Sequence, residues 1–352
     1  MFSFYYRHLY SRGFFKPNIL IVGLLGICWL LLEVTFFLLK KDLGPTPLFK
    51  AHIISCLIFF CFALTFQNPL FAKSAYFGML IGVVLSVLLC LIQVFWATFL
   101  TDWPPPRSPG FSGNPNAAAF AITFGFFAVI WHIPKKYRIY FATFCLAGII
   151  ATMSRTLFVA FITGVILLMA FKLFQVTAWR KQCGIAICLL SSFFIIAYEV
   201  NPIFRFGIDG QFLNIPKSLS FYASTGSHQV EIAKAPAYRD YDKLSLTVRL
   251  DEMKRGVAKL SETPLQGMRD LDQASEDSGH NAYLYYRLSY GIIGYIIIPI
   301  FLLIITVPSK RRIAIPFGAA LMIAALGYQD ILSSWGSLIM PSAFILAFQN
   351  DK

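Results

Sequence analysis

The chain has 352 residues, 57% of them hydrophobic and only 13% charged. A soluble domain of this size could not hide that much apolar surface, so a polytopic membrane protein is the expected class. The formal net charge of +13 would fit a nucleic-acid binder only if the basic residues formed a groove-like patch. Their placement, described below, points elsewhere.

Apolar runs predict spans at about 17–39, 51–66, 75–99, 116–132, 139–153, 156–171, 183–199, 281–307, 313–330 and 333–348. Each is near the length that crosses ~30 Å of hydrocarbon, or tilts to fit. The N-terminus runs straight into the first span with no small-residue cleavage site, so no cleaved signal peptide is expected. Glu33 lies in the middle of that span and needs a polar partner or a proton. The 36 Phe residues suit lipid-facing helices better than a compact core.

If ten helices alternate, Arg7, Arg12, Lys16, Lys73, Lys135, Lys136, Arg138, Lys172, Arg180, Lys181, Lys310, Arg311, Arg312 and Lys352 all fall on one side. The short loops opposite hold Lys40, Lys41, Lys50, Arg107 and Arg155. This asymmetry puts both termini in the cytoplasm and residues 200–280 outside. The excess charge is a topology signal, and no nucleic-acid partner is expected. The expected fold is therefore all-α: spans 1–7 in residues 1–199, an outer loop domain at 200–280, and spans 8–10 in 281–352.

Cys28, Cys56, Cys61, Cys90, Cys145, Cys183 and Cys188 all lie in or beside spans, which implies no disulfide framework. No CxxC, HExxH or Walker phosphate-loop pattern occurs, so neither a metal nor a nucleotide cofactor is expected. Within the outer loop, 201–243 reads as irregular. In 245–260, Leu246, Leu250, Met253, Val257 and Leu260 recur at helical spacing and predict an amphipathic helix, lying on the membrane or across the bundle mouth. That helix is also a rigid mount for Arg249. Residues 269–279 are acidic, read as flexible, and lead to His280.

Four separate segments deliver polar groups to one membrane face. Asn114 and Asn116 open span 4; they are helix caps in the plainer reading and substrate-facing groups in the other. Ser154-Arg155 forms a tight outer turn, where Arg155 either reaches lipid headgroups or binds a ligand. His280-Asn281 opens span 8, with Gly291 and Gly294 inside it to allow close helix contact. Arg287 follows seven residues after His280, on the same face, placed to bind phosphate or pair with an acid. Glu199 and Asp330 lie near the outer interface as partners for the arginines.

These phrases resemble the O-antigen ligase family, whose domain some polysaccharide polymerases share. The resemblance rests on Gly113-Asn114-Pro115-Asn116, on Met153-Ser154-Arg155-Thr156, and on Arg249 followed by Gly256 and Pro264. It also rests on His280-Asn281 with Gly291-Ile292-Ile293-Gly294, and on Asp330 before Trp335, and it covers about 110–345. It implies a GT-C-like membrane fold in the bacterial inner membrane, with the loop in the periplasm. It implies transfer of a polysaccharide from undecaprenyl diphosphate to a lipid A-core or other glycan hydroxyl, without metal or nucleotide. By the same resemblance, His280 would be the essential loop histidine and Arg155 and Arg249 the diphosphate-binding arginines. Arg287 joins them as a further candidate, with Asn114, Asn116, Asn281 and Asp330 in support. The chain departs from the family in having ten spans rather than the typical twelve, and Gly279 where ligases often carry a first histidine. A repeat-unit polymerase of the same architecture is the first alternative. A lipid-linked sugar transporter is the second, although apart from Glu33 the spans are nearly free of acids.

The topology has a direct test. In a background without native Cys, Ser227→Cys should react with a membrane-impermeant thiol reagent once the outer membrane is permeable, and Lys136→Cys should not. The reverse pattern would invert the sidedness.

Overall fold

The computed structural model describes residues 47–66, 68–96, 99–100, 107–171, 179–201, 204–205, 241–261, 267, 274, 277–306, 311–328 and 338–347. The expected span 17–39, with Glu33, and residues 206–240 of the loop lie outside the described residues. Every regular element among those described is helical. In chain order they are α1 (Pro47–Thr65), α2 (Pro69–Phe95), α3 (Pro115–Val129), α4 (Arg138–Thr152), α5 (Arg155–Ala170), α6 (Trp179–Val200), α7 (Tyr241–Lys259), α8 (Ala282–Tyr290), α9 (Gly294–Thr306), α10 (Arg311–Ala324) and α11 (Met340–Ala347).

Local chemistry fixes the helix starts. Asn68 accepts from Leu70 N at 3.0 Å, with Pro69 in the first turn where its missing N–H costs nothing. Asn114 and Pro115 repeat the device at α3, with Asn116 N donating to Asn114 Oδ1 at 2.9 Å. Asn281 does so at α8, accepting from Leu284 N at 3.1 Å. α4 ends on Met153 in the left-handed region (φ 54°), and α5 begins two residues later. That is the tight turn expected at Ser154-Arg155.

Helix α3 is the hub: twelve of its 15 residues are buried, and it packs against α2, α4, α5, α10 and α11. Phe124 and Phe127 meet Phe317 of α10 with ring centroids 5.2 and 6.5 Å apart, and Phe126 meets Phe161 of α5 at 4.8 Å. Phe120, Phe124, Phe126, Phe127, Phe161, Phe317 and Phe344 are fully buried. The expectation that Phe serves mainly as a lipid-facing residue is therefore corrected: a large share fills the interior. Small residues let the helices close in around those rings. A methyl on Gly148 would lie 2.9 Å from Val87 Cγ2, and one on Gly164 would strike the Phe127 ring.

Among the described residues two helices are long and apolar enough to cross a membrane, Leu70–Phe95 and Gln182–Val200, and four shorter ones are apolar. On α6, Ile187, Leu189, Ile195 and Ile196 are exposed. Exposed apolar side chains in that number are compatible with an apolar surround.

The expected span 281–307 is not one helix. It breaks into α8, a 3-10 turn at Gly291–Ile293, and α9. The cause is Gly291, whose φ of 64° and ψ of −150° lie where only glycine is comfortable. Gly294 then packs onto the main chain of α8. A methyl there would overlap Tyr286 O and come within 2.6 Å of Arg287 N. The close approach expected of Gly294 is real, but it folds the segment on itself. Backbone cannot move aside as a side chain can, so Gly294→Ala should cost about 1–3 kcal/mol. Its thermal midpoint in detergent should fall by several degrees; an unchanged midpoint would show that the break is not tightly packed.

Candidate functional site

The site is built around a four-residue turn. Asn281 N donates to Ser278 O at 3.0 Å, and both central residues are left-handed: Gly279 with φ 56° and His280 with φ 65°. Two successive positive φ values are the mark of a primed turn. For a non-glycine residue this conformation costs on the order of 1–3 kcal/mol and persists only where its surroundings over-determine it. Here they do, from three directions.

The first is α7. A methyl on Gly279 would sit 2.5 Å from Arg249 O and 2.6 Å from Met253 Cγ. One on Gly256 would strike Asp277 O and come 3.1 Å from Leu284 Cδ2. Met253 and Leu260 pack on Ala274, Leu284 and Leu288. The face of α7 that meets the turn is therefore Arg249, Met253, Gly256 and Leu260, spaced four, three and four. This corrects the expected stripe: Val257 is exposed, and Gly256 takes the inner position. The helix lies so close that its inner face needs a residue with no side chain, which a count of apolar residues passes over. Arg249, on that same face, is carried directly to the turn. The second constraint is Asp277, whose buried carboxylate pairs with Arg255 at 3.3 Å and Lys259 at 2.5 Å, both on α7.

The third comes from the bundle. Ala282 N donates to Ala325 O at 2.8 Å, tying the turn to the end of α10. Two residues on, Gly327 packs against Thr156 of α5, beside the partly exposed Arg155. Tyr328 stacks on Phe120 of α3 at 4.8 Å. The N-terminus of α3 is held in turn by Arg107: its Nη2 donates to Asn116 Oδ1 at 2.7 Å, and its Nε to Thr152 O at 3.1 Å.

The structure thus gathers Asn114, Asn116, Arg155, Arg249, His280 and Asn281 at one end of the bundle. Asn114 and Asn281 are helix caps. Asn116 accepts from Arg107. Arg287 does not join them. It lies in the last turn of α8, about 10 Å along the axis from His280 at ~1.5 Å per residue. It is buried, with its guanidinium 5.5 Å from the Tyr295 ring centre. The expected shared face with His280 is interior there. Glu199 pairs with Arg205 at 3.1 Å rather than with a candidate arginine. Asp330 and Trp335 lie outside the described residues.

Sequence reasoning missed Asp277 and Arg107. The signal for Asp277 was faint, a pair of cations at 255 and 259 sharing one helix face. For Arg107 there was none, since its partners are a main-chain carbonyl and an amide in other segments. Among the described residues no three His, Cys, Asp or Glu side chains gather as a metal site requires. One turn beyond Arg155, a mostly apolar cavity of about 520 Å³ opens beside Phe158, Ile150, Phe194 and Ile195, with Ser191 and Glu199 among its polar groups.

His280 is exposed at the surface, yet its ring is partly desolvated. Desolvation first, and then repulsion from Arg249, hold its pKa below the ordinary 6.5. Both effects disfavour the imidazolium, so the ring is neutral at neutral pH. An imidazole titration followed by NMR should place the His280 midpoint below 6.5. Arg249→Gln should raise that midpoint without restoring it fully, because desolvation is the larger cause. A wild-type midpoint at or above the ordinary value would contradict this geometry.

No protein-family model, curated protein or solved structure matches the chain, so what can be inferred of its activity rests on the residues and contacts of this site.

Proposed function

We propose that the chain is a membrane-embedded, O-antigen ligase-like glycosyltransferase. It moves a glycan from undecaprenyl diphosphate to a sugar hydroxyl, a lipid A-core sugar in the leading reading. The observation that carries this is the contact of Gly279 with the Arg249 main chain, which puts a neutral histidine and an arginine on touching segments. Arg155 joins them through the end of α10.

Arg forms bidentate, charge-assisted bonds to phosphate and stays protonated. Arg155 and Arg249 hold the donor diphosphate and stabilise the charge that develops as it departs. The acceptor hydroxyl oxygen attacks the anomeric carbon, and the bond from that carbon to the diphosphate oxygen breaks. The hydroxyl proton passes to the neutral imidazole of His280, and the bonding pair leaves with the diphosphate. Attack opposite the leaving group inverts the anomeric centre. Acid–base help of this kind is typically worth ~10²–10⁴-fold. The lowered pKa keeps His280 in its accepting form at the cost of some basicity. The cavity beside Phe158, one turn from Arg155, has the apolar character a polyprenyl chain requires.

The chain spans the inner membrane with about ten helices, both termini in the cytoplasm and residues 200–280 in the periplasm. The exposed apolar residues of α6 and the two span-length helices support the membrane location, and the asymmetry of Lys and Arg in the sequence supports the sidedness. One observation favours a repeat-unit polymerase as the second reading. Gly279, in the place of the first histidine of many ligases, has no room for a side chain, so a doubled histidine is sterically barred here.

Purified protein given lipid-linked donor and glycan acceptor in excess EDTA should transfer. His280→Ala should lose at least ~10²-fold in rate while keeping its folded yield. Strict loss of wild-type activity in EDTA, restored by a metal, would reject the chemistry. Full activity of His280→Ala would reject the base. Deletion in cells separates the two readings: polymerised chains stranded on the carrier mark a ligase, and single repeats on the core mark a polymerase.

A further inference from the structure

The strained His280 backbone needs an anchor on its N-terminal side, and Asp277 supplies one. Asp277 stands three residues before His280 and is buried. Its Oδ1 accepts from Arg255 Nε at 3.3 Å and its Oδ2 from Lys259 Nζ at 2.5 Å. Arg255 and Lys259 are four apart on α7, the helix that carries Arg249. The Asp277 carbonyl also rests on Gly256, so side chain and main chain both grip the same helix. Between this clamp and the Asn281 cap lie only Ser278, Gly279 and His280, and Ser278 is fully buried.

We infer that Asp277 is a positioning residue: its clamp by Arg255 and Lys259 fixes the Ser278–Asn281 turn on α7 and so sets His280 against Arg249. This rests on the reading of His280 as the base. The alternative is that the ion pairs only add stability. A buried carboxylate stripped of partners is costly, but Arg255 and Lys259 keep access to water. Replacing Asp277 by a neutral isostere therefore leaves two cations that can re-solvate, and Asp277→Asn should fold.

The effect belongs in kcat. A displacement of about 1 Å at a catalytic group costs up to ~10²-fold, while donor and acceptor binding by other groups is spared. The test measures transfer by purified wild type, Asp277→Asn, His280→Ala, the double variant, and Arg255→Gln combined with Lys259→Gln. Asp277→Asn should lower kcat about 10- to 100-fold with KM for both substrates changed less than about threefold. The helix-side variant should reproduce that loss, and Asp277→Glu should recover part of it. In the His280→Ala background, Asp277→Asn should add nothing, because its action passes through the ring. Wild-type kcat in Asp277→Asn, an additive loss in the double variant, or loss of folded protein from both the Asp277 and the helix-side variants would overturn the positioning role. If His280→Ala is as active as wild type, it is the reading of His280 as base that fails, whatever Asp277 does.

Discussion

Helix α7 and the Ser278–Asn281 turn meet main chain to main chain, and that approach leaves no room for a Cβ at position 279. The rest of the site depends on this contact. With glycine at 279 the turn can lie on Arg249 O, and the following residue takes a left-handed conformation that histidine accepts only under constraint. The constraint is distributed: ion pairs at Asp277 before the turn, a side-chain cap at Asn281 after it, and the Ala282–Ala325 bond behind it. Strain of that order is tolerable because several independent contacts share it.

The same arrangement sets the electrostatics. Arg249 reaches the turn by lying on the packed face of α7, and the partial desolvation of the ring, then the Arg249 charge, push the His280 pKa down. A neutral imidazole and a cation thus come from one packing event. Arg155 is brought to the same end by different means, through the end of α10, Gly327 and Thr156. Arg107 steadies the neighbouring carbonyl of Thr152 and the side chain of Asn116. Apart from Arg249, which lies within α7, the polar groups gathered at this end are seated on a helix terminus or a tight turn, where main-chain donors and acceptors are left over to be bonded.

Much of this was legible in the chain, and the failures have physical causes. Helices overlap the apolar runs from 51–66 to 183–199 and at 313–330, because run length and capping residues such as Asn68 and Asn114 are local signals; the run 281–307 is broken at Gly291, and only Met340–Ala347 of 333–348 is described as α-helix. The tight turn at Ser154-Arg155 and the cap role of Asn114 were legible for the same reason. The buried face of α7 was misread at Val257 because Gly256 contributes contact through its absence of side chain, which hydrophobic periodicity cannot register. The break at Gly291 was missed because a single glycine inside an apolar run carries little signal about φ. Arg287 was assigned to the His280 face by counting turns, and the packing of α8 against α9 turned that face inward. Asp277 and Arg107 act through partners distant in sequence, and residue type alone does not announce such pairs.

The central claim is that two arginines on separate segments grip one diphosphate beside His280. Binding of an undecaprenyl diphosphate-linked donor by purified protein tests it most directly, with Arg155→Lys and Arg249→Lys beside the wild type. Lysine keeps the charge and loses the forked geometry. A hydrogen bond to a charged group is worth ~1.5–3 kcal/mol, so each replacement should weaken donor binding about tenfold or more. Wild-type affinity in both lysine variants would mean that charge at a distance suffices, and would contradict a two-armed diphosphate site at this end of the bundle.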